Sequence, residues 1–392
     1  MNMKAERPYD IILLGATGFT GKLTAEYLAA HAPADLKWAI AGRNEAKLNS
    51  LKKHLATSFS VEIDSFSADT SDQNSLDVCT SSTKVLISTV GPYDKHGWLV
   101  VKSCIENDCH YADITGEPLF VNRVRKEFHD EAERRQLKIV HCCGFDSIPH
   151  DLGALFTVNA LGGEASKSID GFVVAHGEFS GGTWHSALGA MRKTPLSQTR
   201  NSKSKSVSER RIRSTAKKIF FHKELKRWAV PLPTIDPQIV CRSASMLPKY
   251  GPEFSYGHYI RMRSLPKVIG LVGGIASLAI AAKIPPLQAL AFKVKSPGDG
   301  PSAEKRAKSW FKVRFIGTTE SSKVVTEVSG GDPGYSETSK MLAESALCLA
   351  CDGEALPKQY GVITTAVAMG EVLIDRLQTA GIKFELIEKG AR

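Results

Sequence analysis

Three glycines near the amino terminus have the spacing of a phosphate-binding turn. Gly15, Gly18 and Gly21 form the pattern G-x-x-G-x-x-G directly after the apolar run 9–14 (YDIILL). Where such a turn joins a buried strand to a helix, its glycines permit the tight turn, the approach of a pyrophosphate and close packing of the helix on the strand. The start of the helix also offers N–H groups and a positive dipole end to an anion. The pattern therefore predicts a dinucleotide site that contains Gly15, Thr17, Gly18, Phe19, Thr20 and Gly21.

The residues after the second predicted strand select the type of dinucleotide. The run 37–42 (KWAIAG) ends in Gly42-Arg43-Asn44, where an NAD site normally has an acidic residue. An arginine here can pair bidentately with a 2′-phosphate and stack on the adenine. We therefore expect NADP(H), bound by Arg43 and Asn44. Asp69, at the end of the third predicted strand, is expected either at the adenine edge or as an ordinary loop cap.

A second group of polar residues lies where later strands end. The loop Val90-Gly91-Pro92 follows the fourth predicted strand, so it is either a plain turn or a support for the nicotinamide ribose. The residue types that could donate a proton nearby are few. The candidate catalytic residues are Tyr93, Asp146 and His185, with Ser147 and Thr183 as further hydroxyl donors, and for each a structural role is the alternative.

The order of strands and helices predicts an α/β fold. Six apolar runs alternate with helical segments up to residue 143, which is typical of a doubly wound parallel Rossmann sheet. We therefore expect an NADP-binding domain over residues 1–150. A second mixed α/β domain is expected over residues 151–355, with antiparallel strands at 312–317 and 323–329.

The net charge of +10 is concentrated in one segment of the second domain. Residues 192–227 hold thirteen Lys and Arg against two acids, and we expect this basic segment to be helical in part. It would meet either an acidic carrier protein or an anionic membrane surface, or remain a solvated loop. With little aromatic interleaving and no nucleic-acid motif, no nucleic-acid partner is expected. The sequence leaves open whether the chain forms a homo-oligomer.

An apolar segment covers residues 268–292. Its charge-free part, 268–282 (VIGLVGGIASLAIAA), is shorter than the roughly twenty residues that cross a bilayer. It is interpreted as a core helix, an interfacial membrane hairpin or the wall of a lipid-binding groove. The chain start has no apolar signal segment, so a cytoplasmic protein, or one peripheral on a membrane, is expected.

The cysteines give no indication of a metal site. There are eight in the chain, and Cys348 and Cys351 form a C-x-x-C in a helical stretch without a second pair at zinc spacing. Without a secretory signal they are expected to be reduced thiols. No metal is therefore predicted.

Taken together, several motifs resemble the saccharopine dehydrogenase-like oxidoreductases, and among them the trans-acting enoyl reductases. The resemblance covers nearly the whole chain, and it is carried by GATGFTG, AGRNEAKL, STVGPYDKHGWLVVKSC, HYADITGE, HCCGFDSIPHDLGA, GGTWHSAL and TTAVAMGEVLIDRL. It implies an NADPH-dependent reductase of an enoyl (C=C) thioester or a related lipid or polyketide intermediate, on which the basic segment would dock an acidic carrier protein. It also implies that residues 356–392 hold a C-terminal helix packed on the Rossmann domain.

Two alternative functions remain at this point. One is a peripheral membrane or lipid-surface protein that keeps a dinucleotide-binding fold, with the basic and apolar segments in contact with the surface. The other is a saccharopine-type dehydrogenase acting on an amino-acid adduct. No set of basic side chains for a dicarboxylic substrate is recognisable in the sequence.

Overall fold

The strands form two separate sheets in the part of the chain that the structure describes. A computed structural model gives the fold of residues 7–177, 210–215, 218–281 and 300–391. The chain divides into a first unit, Met1–Ile148 with Tyr335–Gly381, and a second unit, Pro149–Gly334 with Ile382–Arg392. Each sheet belongs to one unit.

The first sheet has seven strands in the order β14-β6-β5-β4-β1-β2-β3, and all of its strand pairs are parallel. The order 3-2-1-4-5-6 is that of a doubly wound dinucleotide-binding fold, which confirms the predicted class. The strands are β1 (Tyr9–Leu14), β2 (Trp38–Gly42), β3 (Asp64–Ser67), β4 (Thr83–Ser88), β5 (His110–Asp113), β6 (Lys138–Val140) and β14 (Gly361–Ile363).

Helices cover the strands of the first unit. Central strands such as β1 are apolar and fully buried from Ile11 to Leu14, because helices pack on both faces of the sheet. The helices of this unit are α1 (Phe19–His31), α2 (Glu45–Phe59), α3 (Gln73–Ser81), α4 (Tyr93–Glu106), α5 (Pro118–Arg134), α10 (Ser336–Cys351), α11 (Thr365–Ala368) and α12 (Gly370–Thr379).

The division into units differs from the predicted domains in two places. Helix α10 packs on α1, β4 and β5, so residues 336–351 belong to the first unit rather than to the predicted 151–355 domain. The predicted C-terminal segment 356–392 is split between the units. Its first part contributes β14, which is held beside β6 because the Lys138 ammonium donates hydrogen bonds to the carbonyls of Pro357, Gln359 and Ala368. Its last strand joins the second sheet.

The second sheet is mixed, and its order is β15-β13-β12-β7-β11-β10-β9, with β8 paired to β11. The pairs β7–β11 and β8–β11 are parallel and the others antiparallel, including the predicted pair β12–β13. The strands are β7 (Lys167–His176), β8 (Arg211–Ser214), β9 (Phe220–His222), β10 (Arg227–Pro231), β11 (Glu253–Met262), β12 (Trp310–Thr318), β13 (Ser322–Gly330) and β15 (Lys383–Ala391).

The helices of the second unit differ in how deeply they are buried. They are α6 (Ile148–Leu161, whose first residue still belongs to the first unit), α7 (Asp236–Met246), α8 (Leu265–Ala281) and α9 (Ala303–Ala307), with a 3-10 turn at Pro248–Tyr250. Helix α8 contacts β10 and β11 and buries Val268, whereas Ile269 is 65% exposed. The apolar segment is thus helical where it is described, and residues 282–292 lie outside the described part.

The described part of the basic segment forms strands, and the expectation that the whole segment is helical in part stays a prediction. Residues 211–214 and 220–222 are β8 and β9, because Ile212 and Phe220 turn inward from an otherwise charged edge. Residues 192–209 and 216–217 lie outside the described residues. No helix found in the described chain combines the length and the apolar character needed to cross a membrane.

Candidate functional site

The glycine turn after β1 has the geometry that the motif predicts. Gly15 has φ +85°, in the left-handed region, and a Cβ there would lie 2.7 Å from Val90 Cγ2. A Cβ on Gly21 would lie 2.2 Å from the Gly15 carbonyl oxygen, so α1 approaches the turn more closely than any side chain permits. A Cβ on Gly18 would meet only the Gly15 oxygen at 3.4 Å, and Gly18 is exposed. Gly15 and Gly21 therefore shape the turn, and Gly18 leaves its outer surface open.

Helix α1 differs from its neighbours in having no side-chain cap. Gly18 occupies its N-cap position and offers no side chain, and its first turn carries no acidic residue. By contrast, Asn44 accepts a hydrogen bond from Lys47 N at the start of α2, and Asp72 accepts one from Asn74 N at the start of α3. The start of α1 therefore keeps the positive end of the helix dipole available to a phosphate.

Helix α4 is closed to anions by a carboxylate of its own chain. Glu117 Oε1 accepts from Tyr93 N and Oε2 from Asp94 N, both at 3.0 Å. This cap satisfies the first N–H groups of α4, which begins at Tyr93. Glu117 comes from the loop before α5, and sequence reasoning missed it because the contact is not local.

An exposed arginine lies after β2, close enough to Asp69 after β3 to influence its charge. Arg43 is exposed, directly after Gly42 at the end of β2. Hydrogen bonds from Ser71 lower the pKa of Asp69, and the nearby charges of Arg43 and His96 lower it further. Asp69 Oδ1 accepts from both the backbone and the hydroxyl of Ser71, so it caps its own loop. Arg43 thus remains the cation available to a 2′-phosphate at this corner.

The other predicted cofactor residues surround the same turn. A Cβ on Gly42 would lie 3.7 Å from Thr17 Oγ1, which places Thr17 beside the end of β2. The Phe19 ring packs on Tyr335, with ring centroids 4.7 Å apart, and the Thr20 carbonyl accepts from Ser339 Oγ. The Phe19 side chain is thus engaged in packing and the Thr20 carbonyl in a hydrogen bond, and a phosphate would meet the backbone N–H groups of these residues. The Asn44 side chain caps α2 by accepting the hydrogen bond from Lys47 N.

The loop after β4 passes directly beside the glycine turn. Thr89 Oγ1 donates to the carbonyls of Leu14 and Gly15, and Val90 contacts Gly15 as described above. Gly91 and Pro92 follow and are exposed. Thr89 was not among the predicted site residues, although its position after β4 was the available signal. The strand order places this loop at the point between β1 and β4 where dinucleotides bind in such sheets.

The Tyr93 hydroxyl already donates a hydrogen bond within the protein. It donates to the Ser88 carbonyl at 2.9 Å, and the side chain is buried. Burial raises the pKa of Tyr93 well above the ordinary tyrosine value, and the Asp113 carboxylate raises it further. This geometry fits a packing role in the β4–α4 connection, and a catalytic role for Tyr93 stays a prediction.

A buried polar network occupies the ends of β5 and β6. Asp113 Oδ2 accepts from Tyr111 Oη at 3.0 Å and contacts His141 Nδ1 at 2.7 Å. Asp113 Oδ1 accepts from the backbone N–H groups of Thr115 and Cys142. Sequence reasoning missed this aspartate and histidine because nothing local relates residues that are 28 positions apart. The network fixes the loops that follow both strands.

Of the remaining candidate donors, the structure describes Asp146 and Ser147. Asp146 is half-buried, and its Oδ2 lies 3.5 Å from the position of a Cβ on Gly116. Ser147 is fully buried, with its N–H donated to the Cys142 carbonyl. Thr183 and His185 lie outside the described residues. Asp146 is therefore the candidate proton donor that is both described and partly accessible.

The residues fit NADP(H). The open face of Gly18, the uncapped start of α1 and the arginine after β2 correspond to the pyrophosphate and 2′-phosphate requirements of that dinucleotide. A domain profile described as the saccharopine dehydrogenase NADP-binding domain matches residues 11–140. The first unit therefore contains an NADP(H)-binding domain.

Relatives of similar length are found among curated proteins. A Mycobacterium tuberculosis protein, named for a proposed trans-acting enoyl reductase activity, is 33% identical over 97% of this chain and 97% of its own. A rat saccharopine dehydrogenase-like oxidoreductase is 30% identical over 97% of this chain and 98% of its own. A Caenorhabditis elegans protein, named as lipid droplet localized, is 29% identical over 96% of this chain and 98% of its own.

A solved structure shares the fold. The saccharopine dehydrogenase (L-Glu forming) of Saccharomyces cerevisiae superposes with a TM-score of 0.55 over 97% of this chain and 100% of its own. The two sequences are 14% identical. At this distance the similarity concerns the architecture of the chain.

The glycine geometry separates folding from cofactor binding. We expect Gly21→Ala to lower the free energy of unfolding by about 1–3 kcal/mol, because its Cβ would overlap the Gly15 carbonyl. Gly18→Ala should change it by less than about 1 kcal/mol yet weaken NADPH binding by about tenfold or more. Urea unfolding and fluorescence titration measure the two effects. Unchanged NADPH affinity in Gly18→Ala would contradict the assigned role of this glycine.

The position of Arg43 directly after β2 predicts selectivity for NADPH over NADH. Arg43→Ala should weaken NADPH binding by about 10- to 100-fold, the value of a charge-assisted hydrogen bond, and leave NADH binding within about threefold. Lys47→Ala, an exposed cation one turn along α2, is the matched control. Calorimetric titration of both dinucleotides checks this. An equal loss for NADPH and NADH would mean that Arg43 does not read the 2′-phosphate.

Proposed function

Because the chain belongs to the saccharopine dehydrogenase-like oxidoreductases, we propose that it uses NADPH to reduce the C=C bond of an enoyl thioester of lipid or polyketide type. The observation that carries the proposal is the 33% identity, over nearly the full length of both chains, to the protein named for trans-acting enoyl reduction. The NADP(H) site of the first unit supplies the matching reductant.

The reaction has simple requirements for the protein. NADPH, when bound, supplies a hydride, which the substrate accepts at its β-carbon while the α-carbon takes a proton. The electrons pass through the thioester carbonyl, so a hydrogen-bond donor is needed there. The uncapped start of α1 and Arg43 would hold the phosphates and thereby fix the position of the dinucleotide. The Asp113 network and the Glu117 cap keep the neighbouring loops rigid.

Asp146 and His185 are the proposed proton donors. The Asp146 carboxyl is half-buried and has space beside Gly116, which lacks a side chain. His185 belongs to the glycine-flanked sequence GGTWH, which resembles the family. Tyr93 could act only after giving up its hydrogen bond to the Ser88 carbonyl, so the proposal does not depend on it.

The basic segment is proposed to dock an acidic acyl-carrier protein. Four of its described cations, Arg213, Lys218, Lys223 and Lys226, are exposed, and Phe221 beside them is also exposed. Such a surface attracts an acidic partner and weakens its hold as salt rises. The same charges would also attract an anionic membrane, so they are compatible with attachment to a lipid surface as well.

The direct test is NADPH consumption with a panel of thioesters. We expect oxidation with medium- or long-chain enoyl thioesters, no reaction with the saturated thioesters, and none with an amino-acid adduct of saccharopine type. Asp146→Asn should lower kcat by about 10²- to 10⁴-fold, whereas the exposed control Asp130→Asn should not. If protein that binds NADPH oxidises it with no enoyl thioester, the proposed reaction is wrong.

A second candidate function is attachment to a lipid surface. Leu265, Ile269 and Val272 are 45%, 65% and 42% exposed and follow one another at helical spacing on the outer face of α8. Exposed apolar residues on one face of a helix are typical of interfacial binding. The relative named as lipid droplet localized supports this proposal, which is compatible with the reductase.

A charge on the outer face of α8 should remove this attachment. We expect Ile269→Glu to weaken binding to phosphatidylserine-containing vesicles by about 10- to 100-fold, since burial of an isoleucine contributes about 1.5–3 kcal/mol. Leu119→Glu on α5 is the control, because Leu119 is also 62% exposed. Vesicle flotation measures both variants. Equal flotation of the two variants, or no flotation of the unmodified protein, argues against the proposal.

A further inference from the structure

Two histidines and an aspartate meet in the interior of the second unit. His150 lies in the first turn of α6, Asp236 opens α7 and His258 lies in the middle of β11. All three side chains are at most 5% exposed. One ligand atom from each residue lies within 4.8 Å of the other two. Three elements far apart in sequence thus converge on one point with imidazole and carboxylate groups.

The separations are close to those of atoms that share a cation. Asp236 Oδ2 lies 3.4 Å from His258 Nε2, and Asp236 Oδ1 lies 3.8 Å from His150 Nε2. Both exceed the roughly 2.7–3.2 Å of an N–H···O hydrogen bond. Two ligands on a tetrahedral zinc ion, each about 2.0–2.1 Å from it, are about 3.3 Å apart. A small inward movement of His150 would complete that geometry.

The buried carboxylate needs a cation. Asp236 Oδ1 is buried and accepts no hydrogen bond from the described residues, while Oδ2 accepts one from the Thr234 hydroxyl and lies 3.4 Å from His258 Nε2. Within the described chain, Asp236 forms ion pairs with histidines alone and with no lysine or arginine. A buried carboxylate without a full set of donors is costly unless a positive charge is beside it.

The surroundings also orient the histidines as ligands. Tyr256 Oη lies 3.2 Å from His258 Nδ1, so the far nitrogen of this imidazole has a polar partner and Nε2 can face the aspartate. Ligating histidines are characteristically held in this way by a second group. The rings of His150 and His258 are perpendicular, with centroids 4.8 Å apart, so the two imidazoles lie next to each other.

We propose that His150, Asp236 and His258 bind a divalent transition-metal ion of the zinc class, which joins α6, α7 and β11. Two imidazoles and one carboxylate are ligands that such ions take, and they leave one further position for water. The ion would neutralise Asp236 and stabilise the second unit. This site is separate from the NADP(H) site and does not depend on the proposed reductase activity.

Metal content tests the proposal on the unmodified protein. Protein purified without chelators, then supplied with excess Zn²⁺ and dialysed, should hold about one ion per chain by elemental analysis. Co²⁺ introduced in place of Zn²⁺ should give the visible absorption of a four-coordinate nitrogen and oxygen site. Protein from which a chelator has removed the ion under mildly denaturing conditions should have a lower Tm than the metal-loaded protein. Absence of stoichiometric Zn²⁺, Co²⁺, Fe²⁺ and Mn²⁺ in folded protein after such loading would overturn the proposal.

Variants then assign the ion to these residues. Asp236→Asn and His258→Gln should lower the metal content to that of background, while His54→Gln, a partly exposed histidine paired with Glu26, should leave it unchanged. Because the first two variants remove buried groups, Tyr256→Phe provides a milder change. It should fold and weaken metal binding by about 10- to 100-fold. Unchanged affinity in folded Tyr256→Phe and full metal content in His258→Gln would place the ion elsewhere.

Discussion

The contact between the Gly15 carbonyl and the Cα of Gly21 constrains the whole first unit. A Cβ on Gly21 would lie 2.2 Å from the Gly15 oxygen, so α1 can start where it does only because that atom is missing. The turn is closed from the other side by Thr89 and Val90, whose chain follows β4. The start of α1 is therefore fixed between the two strands where the sheet order reverses. A phosphate bound there would meet backbone that is rigid before the ligand arrives, which reduces the ordering cost of binding.

The same unit leaves the start of α1 open to anions and caps the helices that follow β2, β3 and β4. Asn44, Asp72 and Glu117 each supply an oxygen to the first turn of α2, α3 or α4. A carboxylate at a helix start satisfies N–H groups and cancels the local positive dipole end. Helix α1 has a glycine at that position and no acid in its first turn. An anion is thus directed to the start of α1 by two features: the glycine motif itself and the side chains that cap α2, α3 and α4.

The parts of the fold that were predictable are those in which each step is local. Six strands of the first sheet follow from alternating apolar runs, and Arg43 could be placed because it directly follows β2. Strand β15 was missed, since the C-terminal segment was expected to be helical although Phe384 and Leu386 alternate with charges. Helix α10 was assigned to the wrong unit because nearly all of its faces are buried, so its pattern does not indicate a partner. The roles of Glu117 and His141 depend on contacts between distant segments, which no spacing indicates.

Two buried aspartates show how the same residue types meet different requirements. Asp113 lies at the end of β5, where three hydrogen-bond donors and the His141 imidazole surround both of its oxygens. Its charge is compensated by the chain itself, and the result is a rigid loop beside the dinucleotide site. Asp236 is equally buried but has one hydroxyl donor and two histidines, whose nearest nitrogens lie 3.4 and 3.8 Å from its oxygens. Since the cost of burying a carboxylate does not depend on its purpose, the two histidines and one hydroxyl leave Asp236 less fully compensated than Asp113, and a bound cation shared with the histidines would make up the difference.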